Sequence, residues 1–169
     1  MTETISYEVT GKAGDIEFRK YPALVLATVE SAGDDSGFNL LFAYITGKNS
    51  ANNTLPMTSP VVSDASTMSF VMPAGKTPAE IPEPLDSKVR IVPVPKREVG
   101  VITFRGRTGE KEVRAAEERL KKGLRDAGIE AVGEVFLMRY NPPWMPGFLR
   151  HNEVGRDRRR LKGYENQLL

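Results

Sequence analysis

Cysteine is absent from the sequence, and histidine and tryptophan each occur once among its 169 residues. The absence of cysteine excludes disulfide bonds, thiolate ligation of iron and cysteine-based zinc sites. A single histidine excludes a cluster of histidine metal ligands as well.

Long apolar segments are missing too. No apolar run approaches the roughly 20 residues that a membrane-spanning helix needs. The first residues, Met1 to Ile5, contain neither the basic segment nor the apolar stretch of a signal peptide. We therefore expect a soluble, cytoplasmic protein without a membrane partner.

The charge is nearly balanced, with 24 Lys and Arg against 22 Asp and Glu, a net charge of +2. The excess lies at the end of the chain: from Arg156 onward there are five basic and two acidic residues, so the remainder carries −1. A body so close to neutral predicts no nucleic-acid partner. We expect one domain over residues 1–155, followed by a basic tail over 156–169.

Apolar patterning predicts the strands. Residues 5–9 and 15–19 alternate apolar and polar side chains, as half-buried strands do, and the segment 11–14 between them is typical of a hairpin turn. Residues 23–29 are almost continuously apolar, which predicts a central strand. Later strands are predicted at 67–72, 89–92, 98–104 and 132–140.

Two helices are predicted from a different spacing. Phe38, Leu41, Phe42 and Ile45 stand at i, i+3, i+4 and i+7, which places them on one helix face. Ser36 is the predicted N-cap and Gly47 follows the last turn. A second helix, over about 110–126, has one apolar face and is otherwise charged.

The order strand–strand–helix–strand thus occurs twice, about 75 residues apart. It predicts an α+β fold in which duplicated β-α-β units form one curved, barrel-like, mostly antiparallel sheet with two flanking helices. The halves are expected at about 1–75 and 86–155. A groove between them is where we expect a small-molecule ligand.

General catalytic motifs are not found: the sequence has no phosphate-binding glycine loop, no nucleophile elbow and no zinc-protease helix. The 22 acidic residues allow many carboxylate pairs, which a sequence cannot locate. We expect a protein that is not an enzyme, with a hydrolase or lyase using a pocket glutamate as an alternative.

Four groups of residues form longer motifs. They are Tyr7-Glu8-Val9 with Glu17-x-Arg19-x-Tyr21; Phe38-x-x-Leu41-Phe42-x-Tyr44-Ile45-x-Gly47-x-Asn49 with Pro56-Met57-Thr58-x-Pro60-Val61; Met68-Ser69-Phe70-Val71-Met72-Pro73 with Ile81-Pro82-x-Pro84; and Tyr140-Asn141-Pro142-Pro143-Trp144 with Arg150-x-Asn152-Glu153-Val154. In order and spacing, over roughly residues 5–155, they resemble the SOUL haem-binding family.

This resemblance implies a non-covalent b-type haem, or another tetrapyrrole, lying across the first helix and the loop before the terminal Asn-Glu-Val. The architecture also resembles effector-binding domains of bacterial transcription regulators, so another amphipathic small molecule is an alternative ligand. The candidate ligand-binding residues are Phe38, Leu41, Phe42, Ile45, Trp144, Met145 and Arg150.

This chain departs from the family where the ligand's propionates would be bound. Basic residues of animal members are replaced by Asp35, Ala43 and Met145, and the nearest basic candidates in sequence are Lys48, Arg139 and Arg150. The four apolar helix residues also have a simpler interpretation as the buried face of the helix.

Iron ligation is a separate question, because the resemblance supplies no ligand for it. His151 is the only imidazole, and the family usually has a basic residue there, so His151 is a weak candidate beside an interpretation as a surface residue. Methionine and tyrosine side chains, such as Met57 and Tyr44, are further candidates that core packing explains equally well.

Overall fold

The computed structural model describes residues 3–31, 35–141 and 145–158. Ten strands and two α-helices make up most of them. In chain order the elements are β1 Glu3–Thr4, β2 Glu8–Ala13, β3 Ile16–Tyr21, β4 Leu24–Glu30, α1 Asp35–Ile45, β5 Thr58–Ser63, β6 Thr67–Val71, β7 Arg90–Val94, β8 Arg97–Arg105, α2 Glu110–Asp126, β9 Ala131–Arg139 and β10 His151–Arg158, with 3-10 turns at Pro78–Glu80 and Gly147–Leu149.

All ten strands form a single sheet with the order β2-β3-β8-β10-β9-β5-β6-β4-β7, and the short β1 pairs with β5. Every pair along this order is antiparallel; β1 is the one parallel addition among the described strands. The α+β prediction of a mostly antiparallel sheet with two helices is therefore confirmed.

The sheet is symmetric in its strand order. The series β8-β10-β9 on one side of the centre matches β4-β6-β5 on the other, and β9 pairs with β5 between them. The strand that precedes each series in the chain pairs with the other series. β3, which precedes β4, pairs with β8, whereas β7, which precedes β8, pairs with β4.

The predicted curved, barrel-like closure is wrong. The sheet is neither closed nor strongly curled. The physical reason lies at its ends: the exchanged strands leave β2 and β7 as the two edges, and these do not pair with each other. Backbone hydrogen bonding therefore ends at two open edges.

Both helices pack on the same face of the sheet. α1 lies on β4 and β6, and α2 lies on β3, β8 and β10 and touches β9. The α1 core contains Leu41, Tyr44 and Ile45; the α2 core contains Leu120 and Leu124. No helix in the described ranges is long and apolar enough to cross a membrane.

The other face, which we call the helix-free face, has a core of its own. Val99, Val101 and Met138 are almost fully buried there. Part of the cover comes from the N-terminal segment, because Ile5 belongs to this core and its N–H donates to the Ser59 carbonyl at 3.0 Å.

Local chemistry explains where the helices end. α2 begins after Gly109 and ends at Asp126, followed by Gly128 in the left-handed region at φ +69°, as helix C-termini commonly do. α1 begins at Asp35, so Ser36 lies within its first turn instead of capping it. Asp35 places a carboxylate at the positive end of the helix dipole.

The first hairpin is shifted from its prediction: its strands span Glu8–Ala13 and Ile16–Tyr21 instead of 5–9 and 15–19, and residues 5–7 are not in a strand. Its turn is Gly14 with Asp15, and Gly11 lies within β2 beside a bulge. Gly14 has φ +58°, which favours glycine. Three strands were not predicted: β1 has only two residues, β5 contains Pro60, and β10 is rich in charged residues.

Candidate functional site

A row of side chains crosses the sheet beneath the two helices. Directly opposed residues of an antiparallel ladder point to the same face. The register connects, strand by strand, Phe104 of β8, Asn152 of β10, Arg139 of β9, Val61 of β5 and Phe70 of β6. Phe104 packs with the α2 core and Phe70 with the α1 core, so the whole row faces the helices.

Phe38 and Phe42 of α1 stand beside this row. Their rings are stacked, with centroids 6.1 Å apart and planes 12° apart, and Phe38 meets the edge of Phe70 at 5.4 Å. Phe38 is partly buried, whereas Phe42 is 48% exposed. The pair therefore presents aromatic surface to solvent from an anchored position.

Arg139 lies two strands from Phe70 in the same row. Its guanidinium Nε is buried and has no hydrogen-bond partner, and burial lowers the pKa of this side chain below its ordinary value. Asn152 and Val61, its neighbours across the strands, carry no charge. We call Phe38, Phe42, Val61 and Arg139 the inter-helix surface.

The other two helix residues predicted to bind ligand point elsewhere. Leu41 is 0% exposed and Ile45 is 3% exposed, and both pack in the α1 core against the sheet. A ligand on the inter-helix surface would meet Phe38 and Phe42 but not this pair. The helical spacing placed all four on one broad face; only packing separates them.

The C-terminal loop lies toward the β8 side of the row. Arg150 Nε donates to the Met145 carbonyl at 2.8 Å, and the Gly106 N–H donates to the Arg150 carbonyl at 3.2 Å. Arg150 directly precedes β10, which is three strand spacings, or about 14 Å, from β6. Trp144, the remaining candidate, lies outside the described residues.

Lys48, another basic candidate, is on the opposite flank of α1. It lines a cavity of about 520 Å³ together with Leu40, Ala43 and Lys88. A second cavity, of about 470 Å³, lies between α2 and the first hairpin, with Ile16 and Gly123 in its wall. Neither includes the aromatic pair.

A buried polar network occupies the helix-free face. The Glu153 carboxylate accepts two hydrogen bonds from Arg19, at 2.7 and 2.5 Å, and one from the Tyr140 hydroxyl at 2.5 Å. Arg19 also donates to the Tyr21 hydroxyl at 2.9 Å and to Glu17 at 2.7 Å. Arg19 and Glu153 are only 4% and 2% exposed.

The electrostatics of this network favour a permanent ion pair. Burial alone would raise the pKa of Glu153, but the hydrogen bonds from Arg19 and Tyr140 outweigh it and hold the pKa below its ordinary value. Burial and the Glu153 charge raise the pKa of Tyr140. Glu153 therefore stays ionised and Tyr140 stays protonated at neutral pH.

His151 belongs to the helix-free face, because it alternates with Asn152 along β10. Its Nε2 is 3.5 Å from a Glu153 oxygen, and its ring meets the edge of Tyr140 at 5.1 Å. It therefore lies on the other side of the sheet from Phe38, Phe42 and Arg139.

The methionine and tyrosine candidates pack in the protein. Met57 is partly buried against the α1 core, and the Tyr44 hydroxyl donates to the Pro82 carbonyl at 2.6 Å. Met68 and Met72 also lie in the α1 core, and Met138 lies in the helix-free core. Across the described ranges, no three His, Asp or Glu side chains are grouped to hold a metal ion.

Sequence reasoning missed two features of this region. It named Arg139 only as a nearby cation, because nothing in the sequence shows that its Nε is buried without an acceptor. It did not find the Arg19–Glu153 pair, whose members are 134 residues apart. Arg19 and Glu153 lie within the longer motifs and Arg139 lies next to one of them. This position in or beside a motif is the only feature of the sequence that indicates a role for these residues.

The comparison with protein families gives one match: the model described as SOUL heme-binding protein matches residues 2–156. No curated protein sequence matches the chain.

Similar folds occur in several solved structures. The C-terminal domain of EcmrR has a TM-score of 0.64 at 10% identity, covering 92% of this chain and 99% of that one. A hydrolase from Listeria innocua has 0.56 at 12%, covering 88% and 94%. SAV2435 bound to tetraphenylphosphonium has 0.51 at 12%, covering 96% and 99%. At these identities the likeness shows the fold alone.

Proposed function

This chain belongs to the SOUL heme-binding protein family, and we propose that it is a non-catalytic binding protein for haem or another porphyrin, acting as a buffer, carrier or sensor. The observation that carries this proposal is the stacked Phe38–Phe42 pair, which keeps aromatic surface exposed on α1. The ligand would lie on the inter-helix surface.

A porphyrin needs a flat apolar wall, and the aromatic pair fits this need. Phe38 is held in place by the edge of Phe70, so the wall is anchored before a ligand arrives. Aromatic rings that stack with an offset add to the free energy gained from apolar burial. On the helix itself no cation is available for the propionates, because Asp35 and Ala43 stand where the family has bases.

The described residues of the inter-helix surface include no side chain that would ligate a haem iron. His151 is on the opposite face, and Met68 and Met72 are buried. We therefore expect binding to depend on the ring and its carboxylates instead of the metal.

The test is a titration of the purified protein with hemin and with metal-free protoporphyrin IX, followed by absorption spectra. We expect saturable one-to-one binding of both at similar affinity. Binding of hemin alone would mean that iron ligation dominates. Binding of neither would remove the proposal.

A different amphipathic ligand is the second candidate, favoured by the acidic Asp35 at the start of α1. SAV2435, which shares the fold, is bound to tetraphenylphosphonium, a lipophilic cation. If this chain is an effector-binding domain of that kind, tetraphenylphosphonium will compete with protoporphyrin for Phe42. A lack of competition favours the porphyrin.

A hydrolase or lyase using a pocket glutamate is the third candidate, and Glu153 is the residue in question. Its two oxygens already accept from Arg19 and Tyr140, with Thr103 at 3.4 Å and His151 at 3.5 Å. A carboxylate has about four acceptor positions, so little capacity remains to activate water. This supports the binding proposal; ester hydrolysis lost on Glu153→Gln in a folded variant would contradict it.

A further inference from the structure

Arg139 is one of the arginines in the described ranges that have no carboxylate partner. Six others in the described ranges form an ion pair with Asp or Glu; they are Arg19, Arg90, Arg97, Arg114, Arg119 and Arg158. Arg139 forms none, and its Nε is buried without any hydrogen-bond acceptor.

Such an arrangement is unfavourable for the protein alone. A buried N–H donor without an acceptor, such as this Nε, loses its hydration and gains nothing in exchange. The neighbours in the row do not supply that acceptor: Val61 is apolar, and no hydrogen bond joins Asn152 to the Arg139 Nε. An acceptor from outside the chain would remove the penalty.

The position of Arg139 restricts the kind of molecule that can carry this acceptor. A guanidinium binds carboxylates and phosphates through two parallel hydrogen bonds. On the α1 side of Arg139 the row continues through Val61 to Phe70, and Phe38 contacts Phe70. An anion that reaches Arg139 over this surface therefore sits at the end of an apolar, aromatic strip.

We propose that Arg139 binds a carboxylate of an amphipathic ligand whose apolar ring system lies on Phe38 and Phe42. The inference rests on the proposed function and names the group of the tetrapyrrole that this chain recognises. Arg139, on the central strand β9, thus supplies the cation for the ligand carboxylate, because α1 has none.

The experiment compares protoporphyrin IX with its dimethyl ester, which keeps the ring and lacks the charges. The proteins are the wild type, Arg139→Gln and the control Arg125→Gln, which removes an exposed arginine of α2. We expect the wild type and the control to bind the diacid about tenfold more tightly than the diester. Arg139→Gln should bind the diester unchanged and lose the preference.

Thermal unfolding without ligand gives an independent readout. Because Arg139→Gln removes a buried N–H donor that has no acceptor, we expect the melting temperature to rise by about 2–4 °C. A lower melting temperature together with loss of both porphyrins would make Arg139 a structural residue and overturn the inference.

The remaining outcomes separate the two proposals. If Arg139→Gln keeps the preference for the diacid, the inference fails while the proposed function stands. If the wild type binds neither porphyrin, both fail. Millimolar inorganic phosphate should leave the preference intact; if it abolishes it, Arg139 is a site for small anions and the inference is overturned.

Discussion

Replacing Glu153 by glutamine removes the negative charge that faces the buried guanidinium of Arg19. The shape of the side chain is kept, but Arg19, 4% exposed, is left with Glu17 as its only carboxylate. Breaking one side of a buried pair usually costs about 3–5 kcal/mol. Since Glu17 remains, we expect the lower end, about 3 kcal/mol of unfolding free energy, or a fall of about 6–12 °C in melting temperature.

The assay is urea unfolding followed by circular dichroism, with two further variants. Glu110→Gln breaks the exposed pair with Arg114 and should cause no measurable change. The double variant Arg19→Met with Glu153→Leu replaces the pair by apolar groups and should regain most of the lost stability. The reasoning is refuted if Glu153→Gln behaves like the exposed control, or if the double variant is no better than the single one.

Three other predictions concern pH, the aromatic pair and the histidine. The pKa of Glu153 is lower in the folded chain than its ordinary value of 4.5, so its stabilisation is complete above that pH and is lost as the pH falls below it; the wild-type unfolding free energy should therefore decline more steeply in acid than that of Glu153→Gln. Phe42→Ala should weaken protoporphyrin binding roughly tenfold with little change in stability, whereas Leu41→Ala, in the core, should lower the unfolding free energy by about 2–5 kcal/mol; equal loss of stability in both would contradict this. His151→Ala should leave the Soret band and affinity of the hemin complex unchanged, and a shifted band would identify His151 as an iron ligand.

Periodic segments of this fold could be predicted from the sequence. The helix over 110–126 and the strand over 98–104 appear close to their expected limits, because each has one buried face that repeats along the chain. β10 could not be predicted in this way: its buried Glu153 is satisfied by Arg19 on a distant strand, and no local pattern shows that pairing.

The open sheet could not be predicted for a similar reason. Whether a sheet closes depends on which edges pair, and the exchange of β3 and β7 between the two sides is a long-range choice. At the site, the helical spacing identified Phe38 and Phe42 but included Leu41 and Ile45, since 3.6-residue periodicity does not distinguish the buried part of a face from its exposed rim.

The location of the ligand is the central claim, and neighbouring residues of β5 test it directly. Val61 points to the inter-helix surface and Val62 to the helix-free face, where Val62 packs with the core that contains Met138. In methyl-resolved NMR spectra, protoporphyrin IX should shift the Val61 methyl resonances and leave those of Val62 and Met138 in place. Shifts at Val62 and Met138 without a shift at Val61 would place the ligand beside Arg19 and Glu153 and contradict the account.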